Sequence, residues 1–220
     1  LLPNLLGTFE DIFSLQIKEV SVNADQSWHD SVKCYAVYDN SSEKICNLIG
    51  HFYVDLYPRD GKFGHAAAFT LKPAYFPTTN SGDSTRSTPV SAMVCNFTRP
   101  TKEKPSLLTF GEVETFFHEL GHIFHQLLSI NRFAMFSGTS VELDFVECPS
   151  QALENWCYEE EFLTRISSHY KTGETIPVEL MEKIKKNKHM FNGLHYIRQL
   201  IFAIYDMKLH SSDNTMDAEQ

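Results

Sequence analysis

The run Phe116-Phe117-His118-Glu119-Leu120-Gly121-His122 constrains this chain more than any other stretch. It reads H-E-x-x-H within a helical pattern. Two histidines four apart stand about one turn from each other on the same helix face. Their imidazole nitrogens can therefore meet one tetrahedral zinc, and the glutamate between them can reach a water beside that metal. The flanks predict a helix from Thr109 to about Ser129. Thr109 followed by Glu112 is a capping box, and Phe116, Leu120, Ile123, Phe124 and Leu127 form an apolar stripe. Two satisfied core histidines are the bland alternative. A chance match, however, is seldom centred in a capped, amphipathic helix.

Gly121 sits inside that helix, where it costs ~1 kcal/mol relative to alanine. Its presence predicts the close approach of another backbone, such as a substrate-binding strand. His125 lies on the same face as His118 and His122. A seven-residue step is a rise of roughly 10 Å, too far for His118 and His125 to share one ion through ~2.1 Å bonds. His125 is read as structural, or as a support behind the ligands. A catalytic zinc of this kind needs a third protein ligand and an open fourth position. Glu142, Asp144, Glu147 and Glu154 are the downstream candidates. Glu147, Gln151 and Glu154 share one face of a predicted second helix, and Pro149 suits the first turn of a helix beginning near Glu147. Spacing alone does not separate Glu147 from its neighbours. Glu142 or Asp144 would otherwise be a solvated loop carboxylate, or would fix a histidine ring by accepting its second N–H.

Composition sets the outer bounds. The chain has 220 residues, 42% apolar and 21% charged, as in ordinary globular proteins. A net charge of −9 without a basic cluster excludes nucleic acid and anionic membrane as expected partners. Five scattered cysteines, Cys34, Cys46, Cys95, Cys148 and Cys157, form no C-x-x-C and predict reduced thiols in a cytosol-like compartment. No apolar run approaches the ~18 residues of a membrane span. Leu1-Leu2-Pro3-Asn4 resembles no signal peptide, and the chain reads as a piece of something longer.

Residues 8–19 predict a short helix. Val32 to Tyr38 and Lys44 to Leu56 predict a hairpin about Asp39-Asn40-Ser41-Ser42. Pro58 to Lys62 is turn chemistry, and His65 to Leu71 a third strand. Residues 77–89 read as a mobile polar loop, and Pro89 to Phe97 as a fourth strand. After the H-E-x-x-H helix come a long helix from Glu147 to His169, one opened by Pro177 and one from Gly193 to His210. The last ten residues read as a frayed polar end. The fold class is α+β, mainly helical. A small antiparallel sheet in a sheet-rich part (1–105) precedes a helical part (106–220) holding the zinc site, all in one unit.

The runs FFHELGHIFHQLL and FAMFSGTSVELDFVECPSQALENW, with GHFYVDLYPRDGKFGHAAAF upstream, resemble the thimet oligopeptidase, neurolysin and saccharolysin family of zinc metallopeptidases. The likeness covers nearly the whole chain. It implies one zinc per chain held by His118, His122 and Glu147, with Glu119 as the catalytic carboxylate. It also implies hydrolysis of internal bonds in short peptides, a zincin-like catalytic core, and a deep channel between two mostly helical halves. Complete members carry helical regions before this segment and a Gly/Tyr/His-rich loop after it that binds substrate and stabilises the oxyanion. Nothing here matches that loop, so the role is not transferred to His195 or Tyr196. Residues 1–220 are thus expected to form a partial catalytic domain, nearly inactive alone. The full-length protein is expected to be monomeric and cytoplasmic, with a mitochondrial peptidase of the same type as nearest rival. An inactive peptide-binding module and a helical protein with a coincidental motif are the rivals from other classes.

Overall fold

The computed structural model describes residues 2–23, 25–41, 47–77, 85–188, 190 and 192–211. The chain divides into two compact units, Leu1–Ile176 and Pro177–Gln220.

The first unit opens with helix α1 (Leu2–Phe13) and strand β1 (Leu15–Val20). The predicted helix over 8–19 is corrected here at both ends. Ser14, at φ 52°, reverses the chain after Phe13. Residues 15–20 then pair antiparallel with β2 (Lys33–Asp39). Ladder hydrogen bonds along a neighbouring strand outweigh a weak local helical preference. Strands β3 (Leu48–Asp55), β4 (Ala67–Lys72) and β5 (Val90–Val94) complete a five-stranded sheet in the order β1-β2-β3-β5-β4. The expected antiparallel sheet is in fact mixed, because β5 runs parallel to β3 while β4 runs antiparallel to β5. The connection that carries β4 is long enough to return the chain parallel to β3, and it leaves β4 at the edge. The start of the predicted second strand at Lys44, the turn residue Ser42, and 78–84 of the predicted loop lie outside the described residues. So do residues 212–220 of the predicted polar end.

Helix α2 (Phe110–Leu128) carries the H-E-x-x-H run, and its Thr109–Glu112 capping box is formed in both directions. The predicted stripe from Phe116 to Leu127 is buried. Phe9 of α1 packs on Phe117 (5.0 Å between ring centroids) and Phe124 (4.8 Å), and Phe124 faces Phe52 of β3 at 6.2 Å. Each such buried phenylalanine contributes about 1.5–3 kcal/mol. At the far end of α2, the Arg86 guanidinium donates to the carbonyls of Leu127, Ser129 (3.0 Å) and Ile49 (2.8 Å). A cation there complements the helix dipole and ties α2 to the sheet. The described end of the predicted mobile loop is therefore a clamp. Ser87 reinforces it, donating through Oγ to Pro73 O at 2.8 Å.

The predicted second helix is broken. Helix α3 (Cys148–Glu154) passes into a 3-10 turn (Asn155–Tyr158) and restarts as α4 (Glu160–Ile166). Asn155 Nδ2 bonds back to the carbonyl of Ala152 (3.1 Å), and Glu159 is extended, at φ −80° and ψ 135°. The break lets Cys157 and Phe162 both reach the interior, where Phe162 meets Phe117 edge-on at 4.7 Å. The second unit contains α5 (Val178–Asn187) and α6 (Asn192–Ser211). Its α6 leaves Leu194, Ile197, Ile201 and Ile204 exposed. No helix among the described residues is long and apolar enough to cross a membrane.

One buried charge fixes the turn that leads into β4. The Asp55 carboxylate, only 1% exposed, accepts from Arg59 (2.8 and 2.7 Å), Trp28 Nε1 (2.9 Å) and Lys62 Nζ (2.9 Å). Burial alone would push this carboxyl up. The donors of Arg59, Trp28 and Lys62 outweigh it and hold the group at about 2. Because the folded value lies below the unfolded one of ~3.9, Asp55 stabilises the fold above that pH and loses its contribution as pH falls toward 2. Asp55→Asn is expected to cost on the order of 3 kcal/mol at neutral pH and to flatten the acid limb of stability between roughly pH 4 and 2. Urea unfolding across that range checks this; an unchanged acid limb would show that the network carries no net stability.

Candidate metal centre

Helical spacing brings His118 and His122 to one side of α2, with Nε2 atoms 3.1 Å apart. Their third neighbour comes from the start of α3. Glu147 Oε2 lies 3.1 Å from each of those nitrogens, so the three atoms form a triangle of nearly equal sides. Among the described residues this is the one cluster of three or more such groups able to hold a metal ion.

Gly121 explains why α3 reaches the histidines. A Cβ placed there would stand 2.6 Å from Ser150 Cα and 3.1 Å from Ser150 Cβ. The close backbone predicted for Gly121 is therefore the first turn of α3, not a strand. Ser150 is buried at this crossing, and its Oγ donates to Glu147 Oε2 (3.0 Å) and bonds to Glu147 O (2.9 Å). One contact thus sets both the helix separation and the aim of the carboxylate. Sequence reasoning missed Ser150; a serine three residues after a carboxylate at a helix start was its only signal.

Glu154, a candidate third ligand, occupies a different post. Its Oε1 lies 2.6 Å from His118 Nδ1, on the ring edge away from the cluster. That hydrogen bond is the main reason the His118 imidazole is pushed up, against burial that would lower it. With Nδ1–H donating to Glu154, the His118 Nε2 lone pair points at the cluster. The ring-fixing role considered for Glu142 or Asp144 thus falls to Glu154, and both of those residues are exposed. For His122, burial lowers the imidazole despite Glu147, and its Nδ1 is buried without a partner among the described residues. His125 stands apart from the triangle near Phe145 (6.3 Å), lowered by burial.

Glu119 is 7% exposed. Burial raises its carboxyl, His118 lowers it, Glu147 raises it further, and a hydrogen bond from the Ala68 backbone N–H lowers it. Helix α2, which carries Glu119, packs against the edge strand β4.

The donor set fits a zinc ion. Two imidazole nitrogens and a carboxylate oxygen converge at 3.1 Å, and with both rings neutral and protonated at Nδ1 their lone pairs would all face one point. A tetrahedral zinc with bonds of about 2.0–2.1 Å sets its ligands about 3.3 Å apart. Imidazole and carboxylate are also ordinary zinc ligands, whereas magnesium and calcium favour oxygen alone.

Comparison with known proteins gives a consistent picture. The model of peptidase family M3 matches residues 2–220. Saccharolysin of Saccharomyces cerevisiae is 46% identical over 212 residues, which is 96% of this chain and 29% of the relative. Thimet-like oligopeptidase of Dictyostelium discoideum is 44% identical over 201 residues, 90% of this chain and 29% of the relative. Oligopeptidase A of Escherichia coli is 42% identical over 185 residues, 84% of this chain and 26% of the relative. The chain therefore spans less than a third of the length of these relatives.

Proposed function

This chain belongs to peptidase family M3, and on that premise we propose that the whole protein is a zinc oligopeptidase that hydrolyses internal bonds of short peptides. The observation that carries the reading is the 3.1 Å triangle of His118, His122 and Glu147, with Glu119 buried beside it against β4. Residues 1–220 are read as part of its catalytic domain. Among the described residues Cys34, Cys95, Cys148 and Cys157 form no disulfide, which suits a reducing compartment, and the cytoplasm is the one we propose.

His118, His122 and Glu147 would hold the zinc, Glu154 would keep the His118 ring in its binding tautomer, and Ser150 would keep Glu147 aimed. When bound, the metal supplies Lewis acidity toward a peptide carbonyl and an easily ionised water. Glu119 accepts a proton from the attacking water and delivers it to the departing amine. An extended peptide would lie along β4, adding a strand to the sheet. Strand pairing presents the scissile bond to Glu119 through the position of Ala68.

The direct test measures zinc in the full-length protein and cleavage of a short quenched peptide, with Glu147→Ala beside it. The variant is expected to lose zinc affinity by 10- to 100-fold or more, whereas Glu142→Ala and Asp144→Ala keep the metal. If either of those releases zinc and Glu147→Ala does not, the ligand assignment is wrong. Absence of both zinc and cleavage in the wild type overturns the proposal as a whole.

A further inference from the structure

Helices α2 and α3 meet along two matched stripes. On α2 the stripe runs from Glu114 through His118 to Gly121 and His122. On the other side it runs from Glu147 through Ser150 and Glu154 to Tyr158, in the 3-10 turn that follows α3. Steps of three or four residues place each set on one side of its own helical segment. The contacts pair the two sets in opposite order. His122 meets Glu147 at 3.1 Å, Gly121 abuts Ser150, and His118 meets Glu154 at 2.6 Å. The outermost rung is Tyr158, whose hydroxyl donates to Glu114 Oε1.

Neither Tyr158 nor Glu114 belongs to the metal triangle. Their rung stands beside its weakest support. Glu154 is the final residue of a seven-residue helix, and helix ends fray. It must nevertheless keep its carboxylate on His118 Nδ1. Cys157, fully buried, roots the turn in the interior, and the Tyr158 ring lies edge-on to Phe110 with centroids 5.2 Å apart. The Tyr158–Glu114 bond pins the chain one helical step beyond Glu154 and one step before His118. Burial and the Glu114 carboxylate push the Tyr158 phenol up, so it stays protonated, and a donor, at neutral pH.

We propose that Tyr158 and Glu114 are positioning residues for the metal centre, their hydrogen bond holding Glu154 on His118 and thereby keeping the His118 Nε2 lone pair aimed at the zinc. The inference rests on the zinc reading of the triangle. With the bond removed, the turn can rock about Cys157 and Glu154 spends time off the ring. His118 then gains access to the tautomer protonated at Nε2, which cannot ligate a metal through that atom. The role belongs to the hydrogen bond and not to the charge of Glu114. Glutamine at that position offers the hydroxyl the same acceptor oxygen, whereas alanine offers none.

The test uses the full-length protein and reads zinc affinity by competition with a chelator, beside urea unfolding of the zinc-free form. Tyr158→Phe removes one hydroxyl and keeps the ring against Phe110. It is expected to weaken zinc binding by about three- to tenfold, the worth of one ordinary hydrogen bond. That is less than the 10- to 100-fold expected when a ring partner itself is removed. Glu114→Ala should match it, and Glu114→Gln should stay near wild type. In a Glu154→Ala background nothing remains to be positioned, so Tyr158→Phe should weaken zinc binding no further. If Tyr158→Phe fails to fold, Glu114→Gln against Glu114→Ala reads the same bond with the tyrosine intact. Wild-type zinc affinity in Tyr158→Phe, even in a protein less stable to urea, overturns the brace. So do equal losses in Glu114→Gln and Glu114→Ala, or a Tyr158→Phe loss that persists undiminished on Glu154→Ala; all three leave the zinc peptidase standing. A wild type that binds no zinc overturns both readings.

Discussion

Glu119→Gln in the whole protein is expected to keep its zinc and to lose peptidase turnover by about 10²–10⁴-fold, the range that a positioned general base supplies. Glutamine preserves the shape of the side chain and can remain against Ala68. It has no carboxylate to accept a proton from the attacking water. Glu119 is not one of the three atoms of the metal triangle, so affinity for the ion should change little. Turnover should therefore fall in kcat, with KM for a short peptide nearly constant. Zinc analysis alongside steady-state kinetics checks this. A zinc-loaded Glu119→Gln protein with near-normal kcat would remove Glu119 from the chemistry.

The second large effect is expected from a single methyl group. In Gly121→Ala the new Cβ would stand 2.6 Å from Ser150 Cα, a backbone atom that cannot rotate away. Either α2 or α3 must retreat by a few tenths of an ångström or more. Overpacking of this kind costs about 1–3 kcal/mol, against which alanine's better helix propensity returns ~1 kcal/mol. The larger consequence is positional. Ser150 holds the Glu147 carboxylate, so moving Ser150 withdraws one corner of the triangle from His118 and His122. Zinc affinity is expected to fall by 10- to 100-fold, with cleavage falling in parallel at limiting zinc and partly recovering in excess. Competition with a chelator, compared across wild type, Gly121→Ala and Ser150→Ala, measures it. Wild-type zinc retention in Gly121→Ala would mean that the crossing does not position Glu147.

Much of the candidate site was legible because its signals are local. The spacing of His118 and His122, the Thr109–Glu112 cap and the apolar stripe all lie within one helix, where 3.6 residues per turn translates position into direction. Gly121 was legible as an anomaly, since a glycine inside a helix signals a close neighbour, but its partner was not. The candidate carboxylates were harder to separate. Glu142, Asp144, Glu147 and Glu154 share charge and sequence neighbourhood, and nothing within the segment ranks them. Only the crossing of α3 over Gly121 brings Glu147 to the Nε2 atoms, while Glu154 reaches the Nδ1 edge of His118.

The sheet divides in the same way. β-rich runs and the turn residues between them identified β2, β3, β4 and β5 within a few residues, because such signals are read along a single segment. The strand Leu15–Val20 was hidden, since its partner β2 decides its conformation and its own residues are compatible with a helix. The parallel pairing of β3 with β5, and with it the edge position of β4, depends on how far a connecting segment carries the chain. By itself, then, the sequence determined the metal-binding helix, its cap, its buried face and the family to which the chain belongs. Spacing left the third carboxylate open and the family resemblance pointed to Glu147; the tertiary structure sets Glu147 Oε2 against both rings, and it alone decided which carboxylate orients His118 and which strand lies at the sheet edge. Those outcomes turn on distances between elements, set by packing contacts such as Gly121 against Ser150, and such distances are not encoded in the periodicity of either element.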